Sequence, residues 1–216
     1  MYQPPHFKET RLDVLHALVR AHPLGLLICN GPDGPVANPL PFLLDAEPAP
    51  HGRLRAHLAK ANPQWRMLAD SPDALVVFQG VDSYITPSWY ETKRETGKVV
   101  PTWNYAIVQV RGRVRVMDDA NWLAGQIAEL TATHEATRAE PWHVTDAPDA
   151  YVAAQIKGIV GLEIEIASIE GKWKVSQNRP VADRVGVAEG LEAENPSPQR
   201  TEMARLVRSF GGLADE

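Results

Sequence analysis

Cysteine is nearly missing from this 216-residue chain, in which Cys29 stands alone. No intrachain disulfide can form and no cysteine-based zinc site is available, which suits a reducing compartment. An excess of positive charge is missing too. The formal net charge of −5 argues against the broad basic footprint of a nucleic-acid-binding surface. No apolar run approaches the roughly 20 residues that a membrane-spanning helix needs. The start, MYQPPHFKET, has neither the basic n-region nor the apolar core of a secretory leader. GxGxxG, Walker A, GxSxG and HExxH signatures are all absent, and the seven histidines are scattered without ligand spacing. These absences leave a cytoplasmic protein with no membrane partner and no metal site as the expectation.

What is present is ordinary in bulk, with 44% apolar and 23% charged residues, as in a globular domain. Thr10 is placed to cap a helix with Leu12, Leu15, Leu18 and Val19 on one face, stopped by Pro23. Leu24 to Cys29, the turn Gly31-Pro32-Asp33-Gly34 and Val36 to Leu44 read as a β-hairpin. Pro39 and Pro41, two apart, put both missing donors on one edge, so this strand is expected to pair on one side only there. Further strands are expected at Arg53–Leu58, Ala74–Phe78, Trp103–Met117 and Ile159–Ile169, the last turning at Glu170-Gly171 into a hairpin with Trp173–Ser176. Helices are expected from Asn62-Pro63 with Trp65 and Leu68 inward, after Asp118 or Asp119, over Asp149–Lys157, near Val181–Leu191 and over Gln199–Phe210. Six or seven strands without βαβ alternation imply an α+β, mostly antiparallel fold, and such strands commonly close into a small barrel.

Four stretches have side chains or backbone suited to a ligand. In ANPLPF, Ala37 to Phe42, the prolines leave strand backbone free to read the edge of a planar heterocycle; an ordinary edge strand reads the same way. In RAHLAKANPQW, Arg55 to Trp65, a strand runs into a helix start beside His57 and Lys60, which suits a phosphate or a plain β–α connection. Trp89, Tyr90, Trp103 and Tyr105 can stack on a flat ring or pack in a core or dimer interface, with Lys93, Arg94 and Lys98 supplying charge. In KWKVSQNRP, Lys172 and Lys174 share a strand face with Ser176, and Gln177, Asn178 and Arg179 follow as a donor-rich strand end or turn. Cations, donors, free backbone and aromatic rings together suit a phosphorylated aromatic cofactor.

The segments MYQPPHF, HLAKANPQW, SYITPSWYETK with VPTWNY, and IKGIVGLEI with IEGKWKVSQNR and GVAEGL occur in this order from Met1 to Leu191. In these the chain resembles the PaiB family, described as FMN-binding negative transcriptional regulators. The resemblance implies a split β-barrel of the pyridoxamine-phosphate-oxidase-like type with peripheral helices, working as a homodimer with FMN. It implies a barrel domain over residues 1–192 and a helical tail over 193–216. It places the phosphate near His57, Lys60 and Asn62, and the flavin edge along Asn38, Pro39 and Leu40. Trp103, Lys174, Ser176, Gln177, Asn178 and Arg179 complete the expected cofactor-binding set. Oxidases of the wider superfamily have an Arg-Lys pair at the turn where this chain has Ala59-Lys60. No catalytic residue stands out. A flavin-dependent oxidoreductase (a flavin reductase or a pyridoxamine-oxidase-like enzyme) and a haem-binding barrel using His57 or His134 are the alternatives. DNA contact would fall to Arg111, Arg113 and Arg115 or to Arg200, Arg205 and Arg208. No helix-turn-helix is recognisable, so repression is expected to be indirect, through small-molecule turnover or a partner.

Overall fold

A computed structural model describes residues 1–213. In chain order the strands and helices are β1 (Lys8–Glu9), α1 (Leu12–Ala21), β2 (Leu24–Gly31), β3 (Gly34–Pro41), β4 (Leu43–Asp45) and β5 (Arg53–Ala59). Then come α2 (Gln64–Asp70), β6 (Asp73–Ile85), α3 (Glu91–Thr96), β7 (Thr102–Met117), α4 (Ala120–Glu135) and α5 (Asp149–Lys157). The chain ends with β8 (Ile159–Lys174), α6 (Val181–Ala193) and α7 (Pro198–Gly211). The eight strands form a sheet in the order β3-β2-β6-β7-β8-β5-β4, with β1 on β8. The pairings β1–β8, β2–β3, β2–β6, β4–β5 and β5–β8 are all antiparallel.

The chain forms two compact units. The first comprises Met1–Leu18, Gln79–Val108 and the chain from Glu170 onward; the second comprises Val19–Phe78 and Gln109–Ile169. In the second, Leu27, Leu54, Val76, Phe78, Val110, Leu162 and Ile164 are fully buried, with Phe42 edge-on to Phe78. Burying each such side chain contributes about 1.5–3 kcal/mol. In the first, Val187 and Leu191 of α6 are buried with Met203 and Val207 of α7, and Trp173 stacks on Phe210. Ser197 caps α7 by accepting the Arg200 N–H, Pro198 occupies its first turn, and Gly212 closes it at φ 62°, each residue type serving the position that its chemistry favours. Of the tail set off at residues 193–216, positions 214–216 lie outside the described residues.

Several expected elements change shape. The strand expected over Val36–Leu44 is two: β3 pairs with β2, and β4 with β5. Between them Phe42 donates its N–H to the Pro23 carbonyl and buries its ring. The hairpin expected at Glu170-Gly171 does not form, because β8 continues straight to Lys174. Gly171 serves close packing there, since a Cβ would stand 2.1 Å from Leu15 Cδ2. Asp119 is the cap of α4, accepting the Trp122 N–H. At α1 the backbone donors of Thr10 and Arg11 go to the Glu9 carboxylate. In α2 the buried side chains are Gln64 and Leu68, and Trp65 is half-exposed. Aromatic size favours burial of Trp65, but its indole N–H must reach the Lys60 carbonyl, which keeps the ring at the edge.

Candidate functional site

In the second unit, β5 ends beside a turn that leads to α2. His57 lies across from Gly161 of β8, and its Nδ1 is 2.7 Å from the Gln126 side-chain oxygen. The other end of that amide is buried with no hydrogen-bond partner. Lys60 Nζ lies 2.6 Å from an Asp118 carboxylate oxygen. Asn62 accepts the Gln64 N–H, and Asn38 donates to the Gln64 side-chain oxygen. Gln64 in turn donates to the Leu27 carbonyl. His57, Lys60 and Asn62 therefore have partners within the fold, while the Gln126 Nε2 beside His57 has none.

β3 has β2 as its one strand partner among the described residues. Phe42 N–H points to Pro23 on the β2 side, so counting back in twos aims the N–H groups of Leu40 and Asn38 at β2 as well. Pro39 and Pro41 then fall on the outward edge. That edge offers the carbonyls of Ala37, Pro39 and Pro41 and a single N–H, from Ala37. It can accept hydrogen bonds from a planar ring but has almost nothing to donate.

The first unit contains a cleft of about 310 Å³ at the end of β8, lined by Tyr90, Asn104, Lys174, Ser176, Asn178 and Arg179 among others. Ser176 takes a positive φ of 67°, so the chain turns sharply after Val175. Gln177 stabilises the turn, accepting the Val175 N–H and donating to the Trp173 carbonyl. Ser176 and Asn104 are buried and hydrogen-bonded to each other. Lys174 Nζ donates to Thr102 Oγ1 and to the Trp103 carbonyl. Arg179 places its guanidinium 4.5 Å from the centre of the Tyr90 ring, a cation–π contact.

Charge distinguishes this cleft. Neither Lys174 nor Arg179 has a carboxylate within ion-pair distance among the described residues, and neither does Lys172 behind them. Burial, joined by the charges of Lys172 and Arg179, pushes Lys174 below the usual lysine value. Tyr90 is 1% exposed and its hydroxyl has no hydrogen-bond partner of ordinary geometry. Burial raises its pKa, with Arg179 opposing the rise.

Trp103 falls outside this arrangement except through its carbonyl. Thr102 and Asn104 line the cleft, so strand alternation turns the Trp103 ring to the other face, edge-on to Tyr84 and 54% exposed. Tyr90 appeared in the sequence as a ring; its buried hydroxyl and the role of Asn104 were missed, and no local pattern announces either.

The arginines named for DNA are mostly engaged elsewhere. Arg115 pairs with Glu163 and Arg113 reaches Asp73 at 4.0 Å. Arg205 pairs with Glu202, Arg208 with Glu192, and Arg200 donates to the carbonyls of Leu191 and Gly190. His134 is exposed at the end of α4, and no cluster of three or more metal-ligating side chains occurs among the described residues. No helix among them is long and apolar enough to cross a membrane.

A family described as "Putative FMN-binding domain" matches residues 1–168. The chain belongs to that family. It is 36% identical to an uncharacterized protein of Emericella nidulans, with both chains covered in full. It is 31% identical to the protease synthase and sporulation protein PAI 2 of Bacillus subtilis, with 96% of each chain covered. Among solved structures it is similar to an FAD- and heme-binding protein from Mycobacterium smegmatis, with a TM-score of 0.57, 19% identity, and 77% of this chain and 73% of that one covered. The fold is an antiparallel split barrel, and the chain carries the family's FMN-binding domain. The match includes Tyr90 and Asn104 but ends before Lys174.

The cleft fits one end of FMN. Unneutralised cations and hydroxyl and amide donors suit a phosphate, and the orphaned Tyr90 hydroxyl adds a donor. Its volume of about 310 Å³ is at the low end of small-molecule pockets, which run from about 300 to 1,000 Å³. It would hold the phosphate arm, with the ring reaching beyond it.

Proposed function

We propose that the protein binds FMN with its phosphate against Lys174 and Arg179, and that it acts as a homodimeric negative regulator of transcription. The observation that carries the FMN assignment is the cleft's charge: two cations line it, a third lies close by, and none has a counter-charge among the described residues. Leaving such groups uncompensated is costly, and a phosphate dianion removes the cost. Asn178, exposed in the cleft lining, can donate to the phosphate oxygens, while the Ser176 hydroxyl is engaged with Asn104. In the second unit His57, Lys60 and Asn62 already have partners. FMN, when bound, supplies a redox-active ring, and the chain binds and orients it.

The regulatory reading is supported by the resemblance to PaiB proteins across four ordered motifs. An indirect route is favoured over DNA contact because most of the candidate arginines are paired within the fold. Titration of purified protein with FMN, followed by quenching of flavin fluorescence and by the visible spectrum, is the test. One FMN per chain is expected, with the mass in solution that of two chains. An intact fold with no binding at saturating FMN overturns the cofactor assignment, and a monomeric mass overturns the dimer.

A further inference from the structure

We infer that Lys174 is a reactive amine, and that its cleft takes a small anionic carbonyl compound of the 2-oxo acid class as an imine on Nζ. This shares with the flavin reading the premise that the cleft accepts an anion, but it names a different ligand and a covalent step.

The geometry begins with the hydrogen bonds of Nζ. A neutral amine has two N–H groups and one lone pair. Thr102 Oγ1 and the Trp103 carbonyl are two acceptors, so they can take both N–H groups and leave the lone pair free to attack. Burial and the charges of Lys172 and Arg179 favour that neutral form, and each unit by which the pKa falls raises the free-amine fraction about tenfold. Lys172 is itself buried, with its ammonium 5.5 Å from the centre of the Tyr2 ring and 5.3 Å from that of Tyr105.

The other cleft groups suit the remainder of the ligand. Arg179 has no carboxylate partner and can pair with that of an oxo acid. Tyr90 keeps its proton because burial raises its pKa, and in the same cleft its hydroxyl has no hydrogen bond of ordinary geometry, only the Arg179 guanidinium beside it. In the reaction, the nitrogen lone pair forms a bond to the carbonyl carbon as the C=O π pair moves onto oxygen. Tyr90 supplies a proton to that oxygen. The carbinolamine then expels the oxygen as water while nitrogen loses its protons, one of which restores the Tyr90 hydroxyl. Amine and carbonyl become imine and water, with no oxidant or reductant consumed.

The test uses the intact chain, with glyoxylate as the anionic probe, propanal as a neutral one and borohydride to reduce any imine. Peptide mapping by mass spectrometry at pH 7 reads each lysine. Lys174 is expected to label faster than Lys98, which is exposed, because burial and the charges of Lys172 and Arg179 favour its neutral form. Inorganic phosphate should protect Lys174 alone. Arg179→Gln should abolish the preference of Lys174 for glyoxylate over propanal, and Tyr90→Phe should slow its labelling without altering that of Lys98. Equal labelling of Lys174 and Lys98 in the unmodified protein overturns the inference, and that comparison needs no variant to fold. FMN binding without selective labelling sinks this inference and leaves the flavin reading standing; selective labelling without FMN binding does the reverse.

Discussion

Two turns in this protein carry similar side chains and meet different ends. After β5, His57 is bonded to Gln126, Lys60 to Asp118 and Asn62 to the Gln64 backbone. After β8, Lys174 and Arg179 line a cleft without any carboxylate partner. Cations, amides and a nearby strand end are common to both, so composition does not separate them. The difference lies in who supplies the counter-charge. At the first turn the fold supplies it, and the groups hold structure together. At the second no described residue supplies it, and on that ground the cleft is the proposed binding site.

The largest effect should come from removing the unpaired cations. Arg179→Gln or Lys174→Met should each weaken FMN binding about 10- to 100-fold, the worth of one charge-assisted hydrogen bond of about 1.5–3 kcal/mol. Flavin fluorescence titration measures it, and an unchanged affinity would erase the distinction between the turns. Next comes Gly161, the strand partner of His57, where a Cβ would stand 2.2 Å from the Trp122 ring. Gly161→Ala should cost about 1–3 kcal/mol in denaturant unfolding, as overpacking does, and leave FMN affinity unaltered.

Glu9 is a first-unit carboxylate that the fold has already committed. It takes the Thr10 and Arg11 N–H groups and the Arg11 side chain. The Arg11 side-chain hydrogen bond outweighs burial and holds Glu9 below its usual value of 4.5. A lowered carboxylate pKa stabilises the folded state fully above the unfolded value and loses that contribution as pH falls through the folded one. Glu9→Gln should therefore cost about 1 kcal/mol at neutral pH and flatten the acid limb below the usual carboxylate range. Circular dichroism against pH would show a full-sized limb in the variant if Glu9 were not its source. Tyr90→Phe should be smaller still. Its hydroxyl has no hydrogen bond of ordinary geometry to lose, only the Arg179 guanidinium beside it, so stability should stay the same or rise by up to about 1 kcal/mol in thermal unfolding; a clear loss would mean that Arg179 satisfies the hydroxyl. Lys60→Met should do least, under about 0.5 kcal/mol in stability for an exposed pair and less than about twofold in FMN affinity. A large loss of affinity there would move the phosphate to the turn after β5.

Most elements were legible because their signals are local. Asp149–Lys157 begins and ends where the pattern put it, and the two tail helices lie close to the helical patterns near Val181–Leu191 and over Gln199–Phe210. The one-sided pairing of β3 followed from Pro39 and Pro41, whose missing donors cannot face β2. Glu170-Gly171 misled because glycine serves both turns and close approaches, and only the position of Leu15 decides between them. Glu163 reads as a wet strand residue but is enclosed by Arg53 and Arg115, partners 110 and 48 residues away.

By itself the sequence determined the element types, the antiparallel class and, through its motifs, the FMN-binding family, because caps, periodicity and ordered motifs are written along the chain. Tertiary structure alone decided which polar groups are spent and which are spare. Whether a lysine is neutralised depends on whether a carboxylate lies within a few ångströms. For Lys60 that neighbour is Asp118, far along the chain, and for Lys174 no carboxylate among the described residues comes within ion-pair distance.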